Sequence, residues 1–288
     1  MPKNKKKHAI FILTHGRPDN VFTHKTMRSN GYTGEIYFIV DNEDSTIEEY
    51  KRLYKDKVIV FDKASYASKF DIMDNFAGRG VIVFARNACY DIARELWLDY
   101  FFEYEDDYTN FSFRHIENGV LLWDTVRNMD KVFEIMIETL EITKADTLAF
   151  AQGGDLIGGS WGFLHNMYKR KAMNTFLFRV NKDSKDDILF TGRMNDDVNM
   201  YLTQGSIGKL IFQNAYITMV QVQTQKNAGG NTESYKKYGT YVKSFYSVMA
   251  MPSACQVSIM GRIEKRLHHR ISWKYAVPKI LDEKYKKV

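Results

Sequence analysis

Short apolar runs alternate with amphipathic segments through the first part of the chain. The apolar runs at residues 8–13, 35–40 and 58–61 have the length and the aromatic or β-branched content of buried strands. Residues 20–30 and 45–55 lie between these runs and have the spacing of helices. The alternation predicts an α/β fold with a mixed, mostly parallel sheet flanked by helices.

The pattern becomes less regular after the third predicted strand. Residues 64–80 give no firm assignment, and the apolar run 81–84 is compatible with a further strand. Residues 85–96 have helical spacing, and residues 98–102 predict a strand that runs into three consecutive acids. The chain therefore reaches the same edge of the predicted sheet a fourth time.

Later segments are predicted from weaker patterns. Residues 130–143 have an amphipathic pattern, and we expect its apolar positions in the core: Val132, Phe133, Met136, Ile137 and Leu140. The other expectations are a short hairpin within 111–118, a strand at 148–151, a hairpin of 176–180 and 188–190, β-prone runs at 209–212 and 215–223, a helix at 241–250 and an irregular connection at 252–261.

Composition narrows the class of protein. The chain has 288 residues, 14% of them aromatic, and only 4 prolines, which argues against disorder. Lys and Arg number 41 against 35 Asp and Glu, and this small excess mildly favours polyanionic partners. Cys89 and Cys255 lie in apolar surroundings typical of reduced thiols, and no apolar run reaches the roughly 20 residues of a membrane span. We therefore expect a cytoplasmic protein without a membrane segment.

Three consecutive carboxylates follow the fourth predicted strand at Glu105, Asp106 and Asp107. Adjacent acids repel one another, and a bound divalent cation is the simplest reason to keep them together. An acidic turn exposed to water is the alternative interpretation. Polar residues also follow the other predicted parallel strands, and the ends of such strands line one edge of the sheet where ligands bind. This coincidence favours the cation site.

The loop after the first strand contains Thr14 and Arg17, whose donors lie where a strand-to-helix crossover binds a diphosphate. Asp41 follows the second strand in the same way. Arg86 and Asn87 lie near the start of a predicted helix, where a cation opposes the helix dipole, so a bound phosphate would explain Arg86. The alternative for Arg86 is an ordinary surface side chain.

Residues 152–162 contain five glycines and one tryptophan. Backbone without Cβ atoms allows close approach to a ligand, and a tryptophan offers a flat face to a sugar or a base. We therefore expect Gly158, Gly159 and Trp161 close to a bound ligand. The segment lacks the spacing of a Walker A motif or of a dinucleotide fingerprint, so it does not predict a phosphate cradle.

A second pair of acids, Asp196 and Asp197, follows Arg193 at the start of a predicted helix. Helix capping by Asn195 or Asp196 explains one acid, and the other is a candidate general base. His268 and His269 lie in a basic segment and are candidates for phosphate or metal binding. The segment 224–239 is basic and contains tyrosines, which suits a lid, a nucleic-acid contact or an ordinary solvated loop.

Several short motifs, taken in their order along the chain, resemble a known family. They are FILTHGRPDN, GYTGEIYFIVDNED, ARN, GGSWG, GRMNDDVNMY, YGTYVKSFYSVM and HHRISWKYAVPKIL. Together they are similar to the TET-associated glycosyltransferases of bacteriophages, which have a GT-A fold and are related to the base J glucosyltransferases. The resemblance covers nearly the whole chain, from about residue 8 to about residue 281, and the order of the motifs carries its specificity.

The resemblance implies transfer of a sugar from a UDP-sugar, such as UDP-glucose or UDP-N-acetylglucosamine, to the hydroxyl of 5-hydroxymethylcytosine in DNA. It implies a GT-A core in residues 1–215 and a C-terminal extension in residues 216–288 with acceptor or lid elements and the two histidines. A glycosyltransferase acting on 5-hydroxymethyluracil or on an acceptor other than DNA, and a metal-dependent nucleotidyltransferase, remain as alternatives.

The resemblance also implies roles for individual residues. Mn²⁺ or Mg²⁺ would be bound by Glu105, Asp107, His268 and His269, and Asp197 or Asp196 would be the base of an inverting reaction. The donor would be bound by Thr14, Arg17, Asp41, Arg86, Asn87, Asp106 and Arg193. The acceptor would be bound by Gly158, Gly159 and Trp161. One departure is that Glu105 stands at the first position of the D-x-D motif, which leaves open which carboxylate contacts the ion.

Overall fold

The computed structural model describes residues 6–76, 78–152, 159–165, 168–169, 171–222, 239–261 and 265–276. Gly158 and all of the basic segment 224–239 except its last residue lie outside these ranges. No helix among the described residues is long and apolar enough to cross a membrane. All descriptions below refer to these parts of the chain.

Ten strands form one mixed sheet, and two more form a separate hairpin. The large sheet consists of β1 (His8–Leu13), β2 (Glu35–Asp41), β3 (Val58–Phe61), β4 (Tyr100–Glu105), β5 (Tyr108–Glu117), β6 (Val120–Thr125), β7 (Thr147–Gln152), β8 (Tyr168–Lys169), β9 (Phe176–Arg179) and β10 (Ile211–Gln221). The separate hairpin consists of β11 (Cys255–Met260) and β12 (Arg266–Ile271).

The strand order of the large sheet is β3-β2-β1-β4-β9-β7-β10-β5-β6, with β8 pairing with β10. The first four strands in this order run parallel, so their carboxyl ends meet at one edge. Strand β9 is antiparallel between β4 and β7, and the β5–β6 hairpin continues antiparallel beyond β10. The α/β fold, with a mixed sheet whose core is mostly parallel, is therefore confirmed.

Helices cover both faces of the sheet. They are α1 (Phe22–Ser29), α2 (Ile47–Tyr54), α3 (Lys63–Ala67), α4 (Val83–Glu95), α5 (Met129–Thr143), α6 (Gly159–His165), α7 (Asp196–Ser206), α8 (Lys243–Ala250) and α9 (Trp273–Ala276). Helix α1 stops before Gly31, whose φ of 84° permits the turn. A Cβ atom at Gly31 would lie 2.3 Å from the carbonyl oxygen of Arg127, so the position also requires glycine.

The side chains of β1 explain why its sequence is continuously apolar. Ala9, Phe11 and Leu13 point into a core cluster that includes α4 and α7, whereas Ile10 and Ile12 point into a second cluster that includes α1 and α5. A central parallel strand is buried on both faces in this way. The expected core positions of α5 pack in the second cluster, with Val132 only partly buried.

Three segments differ from the sequence-based expectations. Residues 81–84 do not extend a strand, because Val83 and Phe84 begin α4. Residues 188–190 form no strand, so the expected hairpin with 176–180 is wrong; β9 pairs instead with β4 and β7. The connection 252–261 is more regular than expected, because its residues 255–260 form β11.

The later β-prone segments merge into longer strands. The expected runs 209–212 and 215–223 belong to one strand, β10, which is irregular between Asn214 and Thr218. Strand β10 therefore crosses the expected boundary between the core (residues 1–215) and the extension (residues 216–288). The extension reaches the core through α8, which packs on α7, on β11 and on β12.

Candidate active site

The loops after β1, β2 and β3 surround a pocket of about 260 Å³, together with the start of α4. Thr14, His15 and Arg17 line it from the first loop, Asp41 from the second and Lys63 from the third. Parallel strands bring these loops together because their carboxyl ends share one edge. The pocket thus lies where the sequence predicted a donor site.

Asp41 is held between two basic side chains at this pocket. His15 Nδ1 lies 2.7 Å from Asp41 Oδ2, and Lys63 Nζ lies 3.0 Å from Asp41 Oδ1. Burial alone would raise the pKa of Asp41, but the hydrogen bonds from His15 and Lys63 lower it below its ordinary value. Asp41 is therefore in the expected place, but it orients His15 and Lys63 instead of presenting a free carboxylate.

A second set of contacts ties the β1 loop to the end of β4. The Thr14 hydroxyl donates to Asp106 Oδ2 at 2.6 Å, and Arg17 forms an ion pair with Asp106 Oδ1 at 2.9 Å. Thr14 also lies 2.7 Å from the Tyr50 hydroxyl. Burial raises the pKa of Asp106, and Arg17 opposes this. The structure thus brings Thr14, Arg17 and Asp106 together, with Asp106 bonded to the other two.

Arg86 connects three carboxylates that lie far apart in sequence. Its Nε donates to Asp196 Oδ2 at 2.6 Å, its NH1 to Glu103 Oε1 at 2.7 Å and its NH2 to Glu105 Oε1 at 2.7 Å. These contacts join α4 to the end of β4 and to the start of α7. We call Arg86 with Glu103, Glu105 and Asp196 the Arg86 clamp.

Arg86 and Glu103 of the Arg86 clamp are almost completely buried, whereas the Glu105 side chain is 30% exposed. The Arg86 guanidinium lies 5.2 Å from the ring centre of Phe176 and 5.1 Å from that of Phe190. Burial opposes the charge of Arg86, but the three carboxylates raise its pKa well above the ordinary value. Each of its three nitrogens donates inside the protein and Arg86 is only 2% exposed, so contact with a nucleotide would require this packing to rearrange.

Two acids beside the Arg86 clamp have raised proton affinity. Burial, followed by the charges of Glu105 and Asp106, raises the pKa of Asp107 to about 7. Burial and the charge of Asp196 raise the pKa of Asp197 to about 7. A carboxylate with a pKa near neutrality is suited to proton transfer or to binding a cation that replaces the proton.

Asn195 connects the start of α7 to the C-terminal elements. Its side-chain nitrogen donates to the Lys243 carbonyl oxygen at 2.9 Å and to Ser247 Oγ at 3.1 Å, and it lies 3.2 Å from His269 Nδ1. Asn195 occupies the N-cap position with a φ of 54°, but its side chain makes no capping bond. The expected capping bond is thus replaced by contacts with α8 and β12.

The histidine pair lies on β12, adjacent to α7 through Asn195. The rings of His268 and His269 are 4.2 Å apart, and His268 Nδ1 donates to the His269 carbonyl oxygen at 2.7 Å. Burial, with His268 and two lysines nearby, lowers the pKa of His269 to about 4. The histidines therefore approach the helix that carries the candidate base.

Asn87 and Arg193 make contacts within the protein framework. The Asn87 side chain donates to the Phe190 carbonyl oxygen at 3.0 Å and accepts from the Phe190 backbone N–H at 2.9 Å. Arg193 forms two hydrogen bonds with Asp74, at 2.7 and 3.0 Å, and one with the Phe76 carbonyl oxygen. Neither residue lines the pocket beside His15.

The expected acceptor residues that the structure describes lie at α6. Gly159 begins this helix with a φ of 59°, and Trp161 is 66% exposed. Phe163 on the same helix is buried against Leu121 of β6. An exposed indole on a helix anchored by Phe163 is available for stacking on a ligand.

The residues at the end of β4 have the chemistry of a divalent cation site. Asp107 Oδ1 is buried without a hydrogen-bond partner, and hard oxygen donors are what Mg²⁺ and Mn²⁺ prefer. Among the described residues no three acids, histidines or cysteines converge as a complete metal site. Mg²⁺ commonly takes one or two carboxylates together with substrate phosphates, so Glu105 and Asp107 fit this kind of ion.

Sequence reasoning missed two residues of the site, His15 and Glu103. His15 adjoins Thr14 in the first motif, and its position after a strand was the available signal. Lys63 was expected only as one of the polar residues that follow the parallel strands, and it is 4% exposed. Glu103 lies inside an aromatic run and is 0% exposed. An acid at a central strand position is rarely buried without a partner, so Glu103 could have indicated a buried cation such as Arg86.

Comparison with solved structures finds glycosyltransferases. Residues 1–349 of S. aureus TarS have 11% identity and a TM-score of 0.43, over 84% of this chain and 65% of that chain. Mannosyltransferase PcManGT from Pyrobaculum calidifontis, in complex with GDP-Man and Mn²⁺, has 7% identity and a TM-score of 0.47, over 86% of this chain and 64% of that chain.

Glucosyl-3-phosphoglycerate synthase from Mycobacterium tuberculosis, in complex with Mn²⁺, UDP and phosphoglyceric acid, has 7% identity and a TM-score of 0.46, over 93% of this chain and 87% of that chain. The present chain thus spans slightly less than two thirds of the TarS structure, at 65%. No curated protein matches the sequence. Residues 8–230 match the family described as TET-Associated Glycosyltransferase, and since this match covers most of the chain, the protein belongs to that family.

Proposed function

We propose that the protein transfers a sugar from a UDP-sugar, UDP-glucose or UDP-N-acetylglucosamine, to the hydroxyl of 5-hydroxymethylcytosine in DNA. The reaction is metal-dependent and inverts the anomeric carbon. The observation that carries this proposal is that the pocket at the β1–β3 loops and the acids around Arg86 lie at the same sheet edge. A nucleotide in the pocket would direct its diphosphate towards the end of β4.

Asp197 is the residue that we assign as the general base. A primary alcohol is a weak nucleophile at neutral pH, and a carboxylate whose pKa is near 7 can accept its proton. Burial and the neighbouring Asp196 give Asp197 a pKa of about 7. Asp196 is instead held by Arg86 at 2.6 Å, so its contribution is to fix the start of α7.

Glu105 and Asp107 would hold the divalent ion, with His268 as a further ligand. When bound, Mn²⁺ or Mg²⁺ stabilises the negative charge of the departing diphosphate. The Arg86 clamp orients Glu105 for this role, because Arg86 NH2 donates to one of its two oxygens. His269 is less suited to bind the ion through Nδ1, because that atom already lies 3.2 Å from the side-chain nitrogen of Asn195.

Acceptor binding is assigned to Gly159 and Trp161, together with Gly158 outside the described residues. Aromatic side chains stack on unpaired bases, and an acceptor base must leave the duplex, or be single-stranded, before its hydroxyl can react.

Cys89 and Cys255 are both free and buried, which fits a reducing cytoplasm.

The central experiment combines donor and acceptor screens. The protein is incubated with UDP-glucose or UDP-N-acetylglucosamine, with and without Mn²⁺, and with oligonucleotides carrying cytosine, 5-hydroxymethylcytosine or 5-hydroxymethyluracil. Mass spectrometry should detect the added sugar only on 5-hydroxymethylcytosine and only with metal. Equally good transfer to an acceptor without DNA would contradict the DNA assignment, and release of pyrophosphate instead of UDP would favour a nucleotidyltransferase.

Asp197→Asn tests the assigned base. We expect at least about a 100-fold loss of transfer rate with unchanged UDP affinity, because a general base contributes to the chemical step and not to donor binding. Asp124→Asn on the exposed strand β6 is the matched control and should leave the rate unchanged. If NMR shows that the product keeps the anomeric configuration of the donor, the role of Asp197 as the base of an inverting reaction is contradicted.

A further inference from the structure

His15 contributes an imidazole ring to the wall of the donor pocket, and its protonation state is constrained by its partner. The Nδ1 atom lies 2.7 Å from Asp41 Oδ2, and the side chain remains 44% exposed. Asp41 is ionised at neutral pH because its pKa is below the ordinary value. A carboxylate only accepts hydrogen bonds, so Nδ1 of His15 must be the donor.

This contact determines what the other ring nitrogen can do. In a neutral imidazole with the proton on Nδ1, Nε2 carries a lone pair and is a hydrogen-bond acceptor. Lys63 lines the same pocket, and its ammonium group is only a donor. It lies 3.0 Å from Asp41 Oδ1, so Asp41 fixes both side chains relative to each other. The pocket wall therefore presents an acceptor beside a donor.

An acceptor placed at ring N3 matches one pyrimidine and not the other. Uracil has a ring N3–H donor flanked by carbonyl acceptors, whereas cytosine has an unprotonated N3 next to an amino group. We infer that His15, oriented by Asp41, reads the ring N3 position of the donor nucleobase and selects uracil over cytosine. The inference rests on the proposed nucleotide-sugar donor, and it gives the base contact to His15.

Protonation of His15 should reverse the preference. A charged imidazole has donors at both nitrogens, so it repels uracil N3–H and can donate to cytosine N3. The charged groups around the ring are Asp41, Asp44 at 3.5 Å and Lys63. The hydrogen bond to Asp41 raises the pKa of His15, and burial and Lys63 oppose this. The ratio of UDP to CDP affinity should therefore rise with pH as His15 loses its proton.

Isothermal titration calorimetry with UDP and with CDP, from pH 5.5 to pH 9, tests the inference on the full chain. We expect the wild type to prefer UDP by about tenfold or more at high pH, since uracil N3–H donates to the neutral Nε2 whereas cytosine N3 places a second lone pair against it. Both ligands carry the same diphosphate, so its titration cancels in the ratio. His15→Phe keeps a ring of similar size without nitrogen atoms and should abolish the preference and its pH dependence.

His115→Phe is the matched control. His115 is also partly buried and lies 3.6 Å from an aspartate, Asp124, but it belongs to the β5–β6 hairpin and does not line the pocket. This variant should keep the wild-type ratio at every pH. Asp41→Asn is a second test that retains His15. It removes the negative charge that raises the His15 pKa, so the pH at which the preference develops should fall.

The possible results separate this inference from the proposed function. A UDP preference that persists in His15→Phe, or that does not change with pH, overturns the role of His15 but leaves a UDP-sugar donor intact. Equal binding of CDP and UDP by the wild type also overturns it. Failure to bind any nucleoside diphosphate, with circular dichroism showing a folded protein, overturns the proposed donor class as well.

Discussion

Replacement of Arg86 by methionine tests whether the Arg86 clamp supports the fold as well as the site. Methionine retains the apolar stem between the rings of Phe176 and Phe190 but removes three hydrogen bonds of 2.6 to 2.7 Å. Arg86 is 2% exposed and Glu103 is 0% exposed, so the variant leaves a buried acid without a counter-charge.

The expected loss follows from that geometry. Removal of one partner from a buried ion pair costs about 3–5 kcal/mol of the free energy of unfolding. Burial already raises the pKa of Glu103 to about 7, despite Arg86. Without Arg86 this acid must bind a proton to remain buried, so the loss should be larger at pH 8 than at pH 6. Addition of Glu103→Gln should recover part of the loss.

Urea denaturation monitored by circular dichroism, at both pH values, measures these differences. Arg52→Met is the control, because Arg52 forms its ion pair with Glu49 on the exposed surface of α2. Its free energy of unfolding should equal that of the wild type. A loss below about 1 kcal/mol for Arg86→Met, or one independent of pH, would show that the buried acids are stabilised by something other than Arg86.

Three further predictions concern the site. Asp107→Asn should weaken Mn²⁺ binding, measured by electron paramagnetic resonance without donor or acceptor, whereas Asp124→Asn should not. The His15–Asp41 pair should stabilise the fold from above pH 3.8, the ordinary Asp pKa, up to the raised His15 pKa above 6.5. Urea denaturation of His15→Ala should therefore differ most from wild type near pH 5 and least at pH 9. Trp161→Ala should lower affinity for single-stranded acceptor DNA about tenfold, measured by fluorescence anisotropy, without changing UDP affinity.

Much of the sheet was predictable because its central strands are buried on both faces. The bounds of β1 and β3 agree with the apolar runs, and β2 extends only one residue further, to Asp41. Helix α5 was predictable from its amphipathic spacing, and the membership of the TET-associated glycosyltransferase family was predictable from the order of short motifs. These features depend on local sequence.

Residues 188–190 show why an apolar run alone does not identify a strand. Ile188 and Phe190 are buried like strand residues, but their backbone hydrogen bonds come from side chains of α4. Asn87 bonds both backbone groups of Phe190, and the Tyr90 hydroxyl accepts from the Ile188 N–H at 3.1 Å. Buried backbone must find partners, and the sequence does not reveal that α4 supplies them.

The site was predictable in position but not in pairing. The ends of β1, β2 and β4 carry the expected polar residues, and the pocket lies on the same edge at the ends of β1, β2 and β3. The roles of Arg86 and His15 depend on partners elsewhere in the chain. Asp196 is 110 residues from Arg86, and Asp41 is 26 residues from His15. Only the three-dimensional arrangement shows that these two basic side chains already have carboxylate partners.

The Arg86 clamp also has a consequence for how β4 assembles. Glu103 and Glu105 are two residues apart on one strand, so both face the same side of the sheet and both reach Arg86. If β4 paired one residue out of register with β1, the Tyr104 ring would replace these acids on that side. The misaligned strand could not neutralise Arg86. The pairing of Glu103 and Glu105 with Arg86 thus also disfavours misaligned pairing of β4 with β1.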